Sequence, residues 1–320
     1  MREIQTPAFL FNLSNTPVFI IQGEKDESVP PVHPRMMLSL LRSFGIESYY
    51  TEFSGQTHWF DIPETPYVDC VDLPDLMKFF QMKKRNRYPR KVTFITANPS
   101  INPRLYWVEI SELRELYEDG KIQAEVVSPS LIRVQTTNIA EFSLFLSDFL
   151  PEGKITILVD GKEFHTSLSR GSPISFHREN EGWKEGKKAV AGLRKTPQIY
   201  GPIKQAFYQP FLLVYGTKGS PEHSHSLLHL AVHFANLWWW RSSGYARIVA
   251  DTEVTDEMIR KYHLILFGGP DFNHLTARWM PSLPIRLEKD FVKIGEKIYP
   301  GSDFSLQMIY PNPENPEKFI

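Results

Sequence analysis

The sequence predicts a multidomain protein of mixed α/β and β class: a short parallel α/β sheet, an antiparallel β-sandwich, and a Rossmann-like parallel α/β module. Three observations predict it. Residues 17–82 alternate short apolar runs with segments of helical period. Residues 91–168 hold short β-branched runs separated by turn residues, and from residue 210 helical segments again alternate with buried-type runs. The expected division is 1–88, 91–168, a connector over 169–200, and 201–320.

The elements follow in order. "PVFIIQG" is an apolar run closed by Gly23, the pattern of a buried parallel strand. "PPVHPRMMLSLLRSFGI" opens on prolines and sets Met37, Leu40, Leu41 and Phe44 at helical spacing before Gly45. "ESYYTEF" reads as a second strand. "VDLPDLMKFFQM" reads as a helix with Leu76, Phe79 and Phe80 on its apolar side. The basic stretch "KKRNRYPRK" marks the boundary that follows. In the sandwich, Asp160-Gly161 between two strand-like runs is a hairpin signal, and "SELRELYEDG" (111–120) is an inserted short helix or turn. "RENEGWKEGKKAVAGLRKTP" reads as part of the connector. After it, "PFLLVYG", "YARIVADTE" and "HLILFGGP" are strands; the long helix "EHSHSLLHLAVHFANLWWWRSSG" follows the first and "TDEMIRKY" the second. The tail is expected to add further strands.

Composition narrows the classes of function. Hydrophobic residues make up 42% and charged residues 23%, as in ordinary globular domains. A net charge of -1 gives no electrostatic footprint for nucleic acid or a membrane surface. Cys70 is the only cysteine, which excludes an intramolecular disulfide and a cysteine-based zinc site. No apolar run approaches transmembrane length, and the first residues carry no clear signal-peptide core; the compartment stays open. No cofactor motif is present.

The chemistry concentrates in "GEKDESVPP" and "SGQTHWFD". Asp26 follows one predicted strand and His58 the next, with a helix between them. In a parallel sheet both loops emerge at the same edge, where a carboxylate can fix the imidazole tautomer and leave the second nitrogen to take a proton from a serine. The stretch from Thr16 to Phe60 resembles the C-terminal part of a prolyl oligopeptidase-family catalytic domain. Gly23 and Asp26, then Val29-Pro30, then the helix around Leu40 and Leu41, then Gly55 and His58 stand in that family's order. The resemblance implies that this sheet is a partial α/β-hydrolase sheet, with Asp26 the acid and His58 the base of a triad acting on peptides or esters.

The nucleophile departs from that pattern. The chain has no G-x-S-x-G, and only 25 residues precede Asp26, where the elbow belongs on the order of 80 residues upstream. Ser172 and Ser220 are each followed by proline, which removes the backbone N–H an elbow supplies. The expectation is two thirds of a triad, inactive alone, with a peptide or ester substrate only if the missing half is supplied. A truncated sheet is expected to associate with that half or with a second copy.

The later modules resemble extra C-terminal regions of some bacterial members of the same family, which implies architecture and no activity. The Gly loops "YGTKGS" and "FGGPDFN" follow predicted strands. They offer Gly216, Thr217, Gly219, Ser220, Gly268 and Gly269 as contacts for a small anionic ligand, or as plain tight turns. His225, His229 and His233 recur at i, i+4 and i+8; the expectation is no metal, with this stripe as the alternative. A non-enzymatic assembly role for the C-terminal module and its aromatic helix is the remaining expectation.

Overall fold

In the computed structural model, residues 6–62, 69–180, 182–189, 196–301 and 305–320 are described. The chain forms two compact units, Met1–Lys188 and Ala189–Ile320. The mixed α/β and β architecture expected from the sequence is observed, with parallel and antiparallel sheets and few helices. Among the described residues no helix is long and apolar enough to cross a membrane.

The first unit begins with a 3-10 segment (Thr6–Leu13), then β1 (Val18–Gly23), α1 (Val32–Ser43) and β2 (Ser48–Phe53). β1 and β2 pair in parallel, Val18 opposite Ser48 through Gly23 opposite Phe53. Parallel strands need a crossover, and α1 supplies it. Leu41 at 1% exposure, with Leu10 and Ile46, forms the small core on which Val18, Ile20, Met37 and Leu40 pack. β1 is apolar enough for burial on both faces, yet Val18 through Ile21 are only half-buried. α2 (Asp69–Asp72) and α3 (Pro74–Met82) follow. Of the apolar side expected on α3, Phe79 packs on Phe19 and Tyr49, each 5.4 Å away between ring centres, whereas Phe80 is 60% exposed.

Asn12 stitches this piece to the next. Its side-chain amide donates to Ile95 O at 2.9 Å and accepts from Ile95 N at 2.7 Å, so it satisfies the backbone of β3 (Lys91–Thr96) as a neighbouring strand would. β3 opens the sandwich. The further strands are β4 (Arg104–Leu105), β5 (Val108–Leu113), β6 (Gly120–Ser128), β7 (Leu131–Thr137), β8 (Ile139–Leu144), β9 (Gly153–Val159), β10 (Lys162–Leu168), β11 (Ile174–Glu179) and β12 (Gly182–Glu185). Two five-stranded sheets result, in the orders β10-β9-β7-β6-β3 and β12-β11-β8-β5-β4. β6 shows the alternation of a strand with one face inward: Ile122, Ala124 and Val126 are buried. Phe164 of the first sheet meets Phe176 of the second edge-on at 5.0 Å, and Phe176 stacks on Phe142 at 5.2 Å.

Three expectations are corrected here. The sandwich is not purely antiparallel, because β7 and β9 pair in parallel. The chain leaves β7 for β8 in the other sheet and returns beside β7 in its original direction. The connector expected from residue 169 is shorter, since Ile174–Glu179 form β11 and Gly182–Glu185 form β12. Pairing of β11 with β8 and burial of Phe176 and Trp183 outweigh the local Gly and Lys content. Within 111–120 there is no helix. Ser111–Leu113 complete β5 against β8, and a turn follows in which Tyr117 has a left-handed φ of 68°. The Asp160-Gly161 hairpin is observed, with φ of 49° and 87° as a two-residue turn of this hand requires.

The second unit is built on β13 (Phe211–Tyr215), α4 (Pro221–Ser242), β14 (Arg247–Ala250), α5 (Asp256–Lys261), β15 (His263–Phe267) and α6 (His274–Trp279). The three strands are parallel in the order β14-β13-β15. β13 is central, and Leu212, Leu213 and Val214 are at most 1% exposed. Val249, Ile259, Leu264, Leu275 and Trp279 complete the core around Leu212 and Val214. A three-stranded antiparallel sheet follows, β16 (Ile285–Glu288), β17 (Phe291–Ile294) and β18 (Lys297–Pro300), then the hairpin β19 (Pro311–Asn312) and β20 (Asn315–Phe319). β20 returns to β15: Phe319 N donates to His263 Nδ1 at 2.8 Å.

Candidate functional site

The loops at the carboxyl end of β1 and β2 are closed on each other by backbone. Glu24 N donates to Phe53 O at 2.9 Å and Lys25 N to Gln56 O at 2.7 Å. Gly23 is required at this crossing, because a Cβ there would lie 2.2 Å from Thr57 O and 2.6 Å from Gln56 O. Glu24 Oε2 accepts from Ser54 Oγ and from Gly55 N, both at 2.7 Å. The strand ends thus hold the turn of Asp26 against the loop of His58.

Asp26 and His58 meet. His58 Nδ1 lies 2.8 Å from Asp26 Oδ2. The carboxylate is sheltered and the imidazole open, at 5% and 38% side-chain exposure. Asp26 Oδ1 accepts from Ser28 N at 2.9 Å and Val29 N at 2.8 Å; Gln22 Nε2 donates to Oδ2 at 3.1 Å. Burial pushes the Asp26 carboxyl up, but the Val29 amide, His58 and the Ser28 amide outweigh it and hold it below the ordinary aspartate value. An ionised Asp26 accepts the Nδ1 proton, so Nε2 of the neutral imidazole carries the free lone pair. Trp59, 69% exposed, stands edge-on to His58 at 5.3 Å.

The glycine-loop residues also converge, at the carboxyl edge of the second sheet. Gly216 lies against the loop after β15, where a Cβ would meet Phe272 O at 2.2 Å. Gly219 abuts Phe272 and His223, Ser220 caps α4, and Gly268 O accepts from Thr276 Oγ1 at 2.9 Å. Gly269 O accepts from Phe272 N and Asn273 N. Three of the backbone amides are spent internally: Gly216 N donates to Phe267 O, Lys218 N to Phe272 O, and Thr217 N to the carboxylate of Asp251.

Asp251 and His274 were not signalled by any local motif, yet they form a second pair of the same kind. Asp251 follows β14, His274 begins α6 after β15, and His274 Nδ1 lies 2.9 Å from Asp251 Oδ2. Side-chain exposures are 0% and 49%. The carboxylate also accepts from Thr217 N at 3.1 Å, Thr217 Oγ1 at 2.6 Å and His274 N at 2.6 Å. Burial raises the carboxyl of Asp251, and the Thr217 hydroxyl, the His274 and Thr217 amides and the His274 ring more than offset it, so the group is held low. The signal that could have found it is the one used for Asp26: an acid just past one parallel strand and a histidine just past another.

The histidine stripe does not converge. His225 and His229 rings are 4.1 Å apart. His233 is two turns from His225, about 12 Å along the axis. Among the described residues no group of three or more His, Cys, Asp or Glu side chains is placed to hold a metal. Of the tryptophans on α4, Trp238 packs edge-on to Phe211 at 5.0 Å, while Trp239 and Trp240 are 54% and 68% exposed. An open cleft of about 480 Å³ lined by Phe207, Phe211, Trp238, Tyr245 and Arg247 lies at the amino edge of the second sheet, the opposite end from Asp251. Comparison of the chain with family models, with curated proteins and with solved structures finds no match.

Proposed function

We propose that the first unit carries the acid–base half of a serine hydrolase of prolyl oligopeptidase type, with the nucleophile supplied from outside these 320 residues. The observation that carries this reading is the 2.8 Å contact between His58 Nδ1 and Asp26 Oδ2 at the carboxyl edge of a parallel pair. In acyl transfer, His58 Nε2 takes the proton of the attacking serine hydroxyl as it adds to a peptide or ester carbonyl. Asp26 holds the ring and stabilises the imidazolium, and His58 returns the proton to the leaving group. The oxyanion donors, which carry much of the rate, belong with the missing serine. The half-buried β1, with one side unpaired among the described strands, is a suitable seat for a further parallel strand.

The test extends the reading frame 5′ of the Met1 codon and labels the extended protein with a fluorophosphonate. An in-frame G-x-S-x-G whose serine labels, and whose labelling falls in His58→Ala, upholds the reading. An extended protein that labels equally well in His58→Ala overturns it.

A second reading, a docking role for the C-terminal module, is favoured by one observation. Leu230, Leu237, Trp239 and Trp240 of α4 are each more than two-fifths exposed. Sedimentation of the Trp239→Ser, Trp240→Ser double variant tests it: loss of self-association seen in the parent supports docking between copies, and a monomeric parent counts against that form of it.

A further inference from the structure

We propose that the Asp251–His274 pair is a binding site for a small, neutral, hydroxyl-bearing molecule, with His274 Nε2 accepting a hydrogen bond from a ligand hydroxyl. The site lies at the topological switch point of the second sheet. From β13 the chain passes through α4 to β14 on one side, and from β14 it crosses back to β15 on the other. The loops after β13 and β15 therefore part in opposite directions at adjacent strand ends, the place where open parallel sheets take their ligands.

The floor of this crevice is fixed. Asn273 is fully buried; its side-chain nitrogen donates to Val214 O and Phe267 O, and its oxygen accepts from Leu275 N and Thr276 N. Lys218 Nζ reaches Pro270 O at 2.7 Å and latches the two loops together. Such cross-links hold His274 in one position before any ligand arrives, and preorganisation of this kind reduces the ordering cost of binding.

A purely structural role does not account for the imidazole. The backbone around Asp251 is closed by Thr217 N, Thr217 Oγ1 and His274 N, which already occupy three acceptor sites of the carboxylate. The ring adds a fourth contact while half of it faces solvent. Its effect is chemical: Nδ1 is committed to Asp251, so Nε2 presents a lone pair in a set direction. Ser220 Oγ, 2.9 Å from His223 Nδ1, lies in the same loop cluster, with the Phe272 ring 4.7 Å from His223. Hydroxyl, imidazole and aromatic groups together suit a pentose or polyol, which has several hydroxyls and an apolar ring face. An anion is disfavoured. The amides of Gly216, Thr217 and Lys218 are already donated, and the Asp251 carboxylate stands beside the ring.

The experiment is histidine carbethoxylation of the full chain by diethyl pyrocarbonate, read at each histidine by mass spectrometry, with ribose or inorganic phosphate as competitor. Ribose is expected to slow modification of His274 roughly twofold when the site is half-occupied, without protecting His58 or His165. His274→Gln, at a half-exposed side chain, is expected to abolish the ribose-dependent shifts of the Gly219 and Phe272 amide resonances. Equal labelling of His274 with and without excess ribose overturns the proposal. So does protection by phosphate in place of ribose, or amide shifts that persist in His274→Gln.

Discussion

The two parallel sheets of this chain make the same side-chain pair in different surroundings. In each, an aspartate follows one strand, a histidine follows another, and Nδ1 meets a carboxylate oxygen within 3 Å. Asp26 caps its own turn through the Ser28 and Val29 amides, next to a two-stranded sheet whose first strand is half-buried. Asp251 instead binds Thr217 and His274, so it ties three strand ends together around a central strand whose Leu212, Leu213 and Val214 are buried. An Asp–His pair is thus a natural product of parallel topology, and the frame around it separates the two cases. One aspartate closes its own turn, and the other joins the loops that follow three parallel strands.

The largest expected difference comes from removing each carboxylate. Asp251→Ala leaves the buried-side Thr217 and His274 amides without an acceptor, and a loss of about 3 kcal/mol follows from unmade hydrogen bonds of this sort. Asp26→Ala is expected to cost less, because water reaches the Val29 loop, where Val29 is 42% exposed. Hydrogen exchange of the peptides spanning 211–220 and 263–275, compared with those spanning 18–30 and 48–60, reads the two effects separately. Equal losses would erase the distinction between local cap and three-loop tie.

Next are the glycines that let each pair of loops cross. Gly23→Ala and Gly216→Ala each bring a methyl within 2.2 Å of a backbone carbonyl oxygen. Each is expected to cost about 2 kcal/mol, as overpacking against backbone does, and urea titration followed by the same exchange peptides measures it. If Gly23→Ala were silent, the loops of Asp26 and His58 would not be held as closely as described.

A further effect is read by pH. Burial, with the nearby Lys318 charge, lowers His263 from 6.5 to about 4. The unfolded chain therefore binds the extra proton first, and the folded state loses stability as pH falls from about 6.5 to about 4; above that window the contribution is complete. The second unit is expected to weaken across this window as His263 takes up its proton. Exchange rates in 263–267 and 315–319 at both ends of the window check this.

Much of this was legible where the signal is local. Asp160-Gly161 prescribed its hairpin because both residues accept left-handed backbone, and "PVFIIQG" and "PFLLVYG" announced strands by apolar run and terminal glycine. Asp26 and His58 could be paired on paper because one helix separates their strands. What stayed hidden depends on distant partners. "ISFHRE" looks like connector until Phe176 stacks on Phe142. "SELRELYEDG" has helical residues, but Glu112 and Leu113 pair with β8. Asp251 and His274 sit 23 residues apart with no motif between them, and only the β14-β13-β15 order joins them.

The most direct measurement is the long-range ¹H–¹⁵N spectrum of the imidazoles in the intact protein, with Asp26→Asn and Asp251→Asn as controls. Neutral His58 is expected to carry its proton on Nδ1 with Nε2 bare, His274 is expected to do the same, and each asparagine is expected to disturb only its own partner. A His58 ring protonated on Nε2 in the parent protein would contradict this, since that ring could not take the proton of a serine.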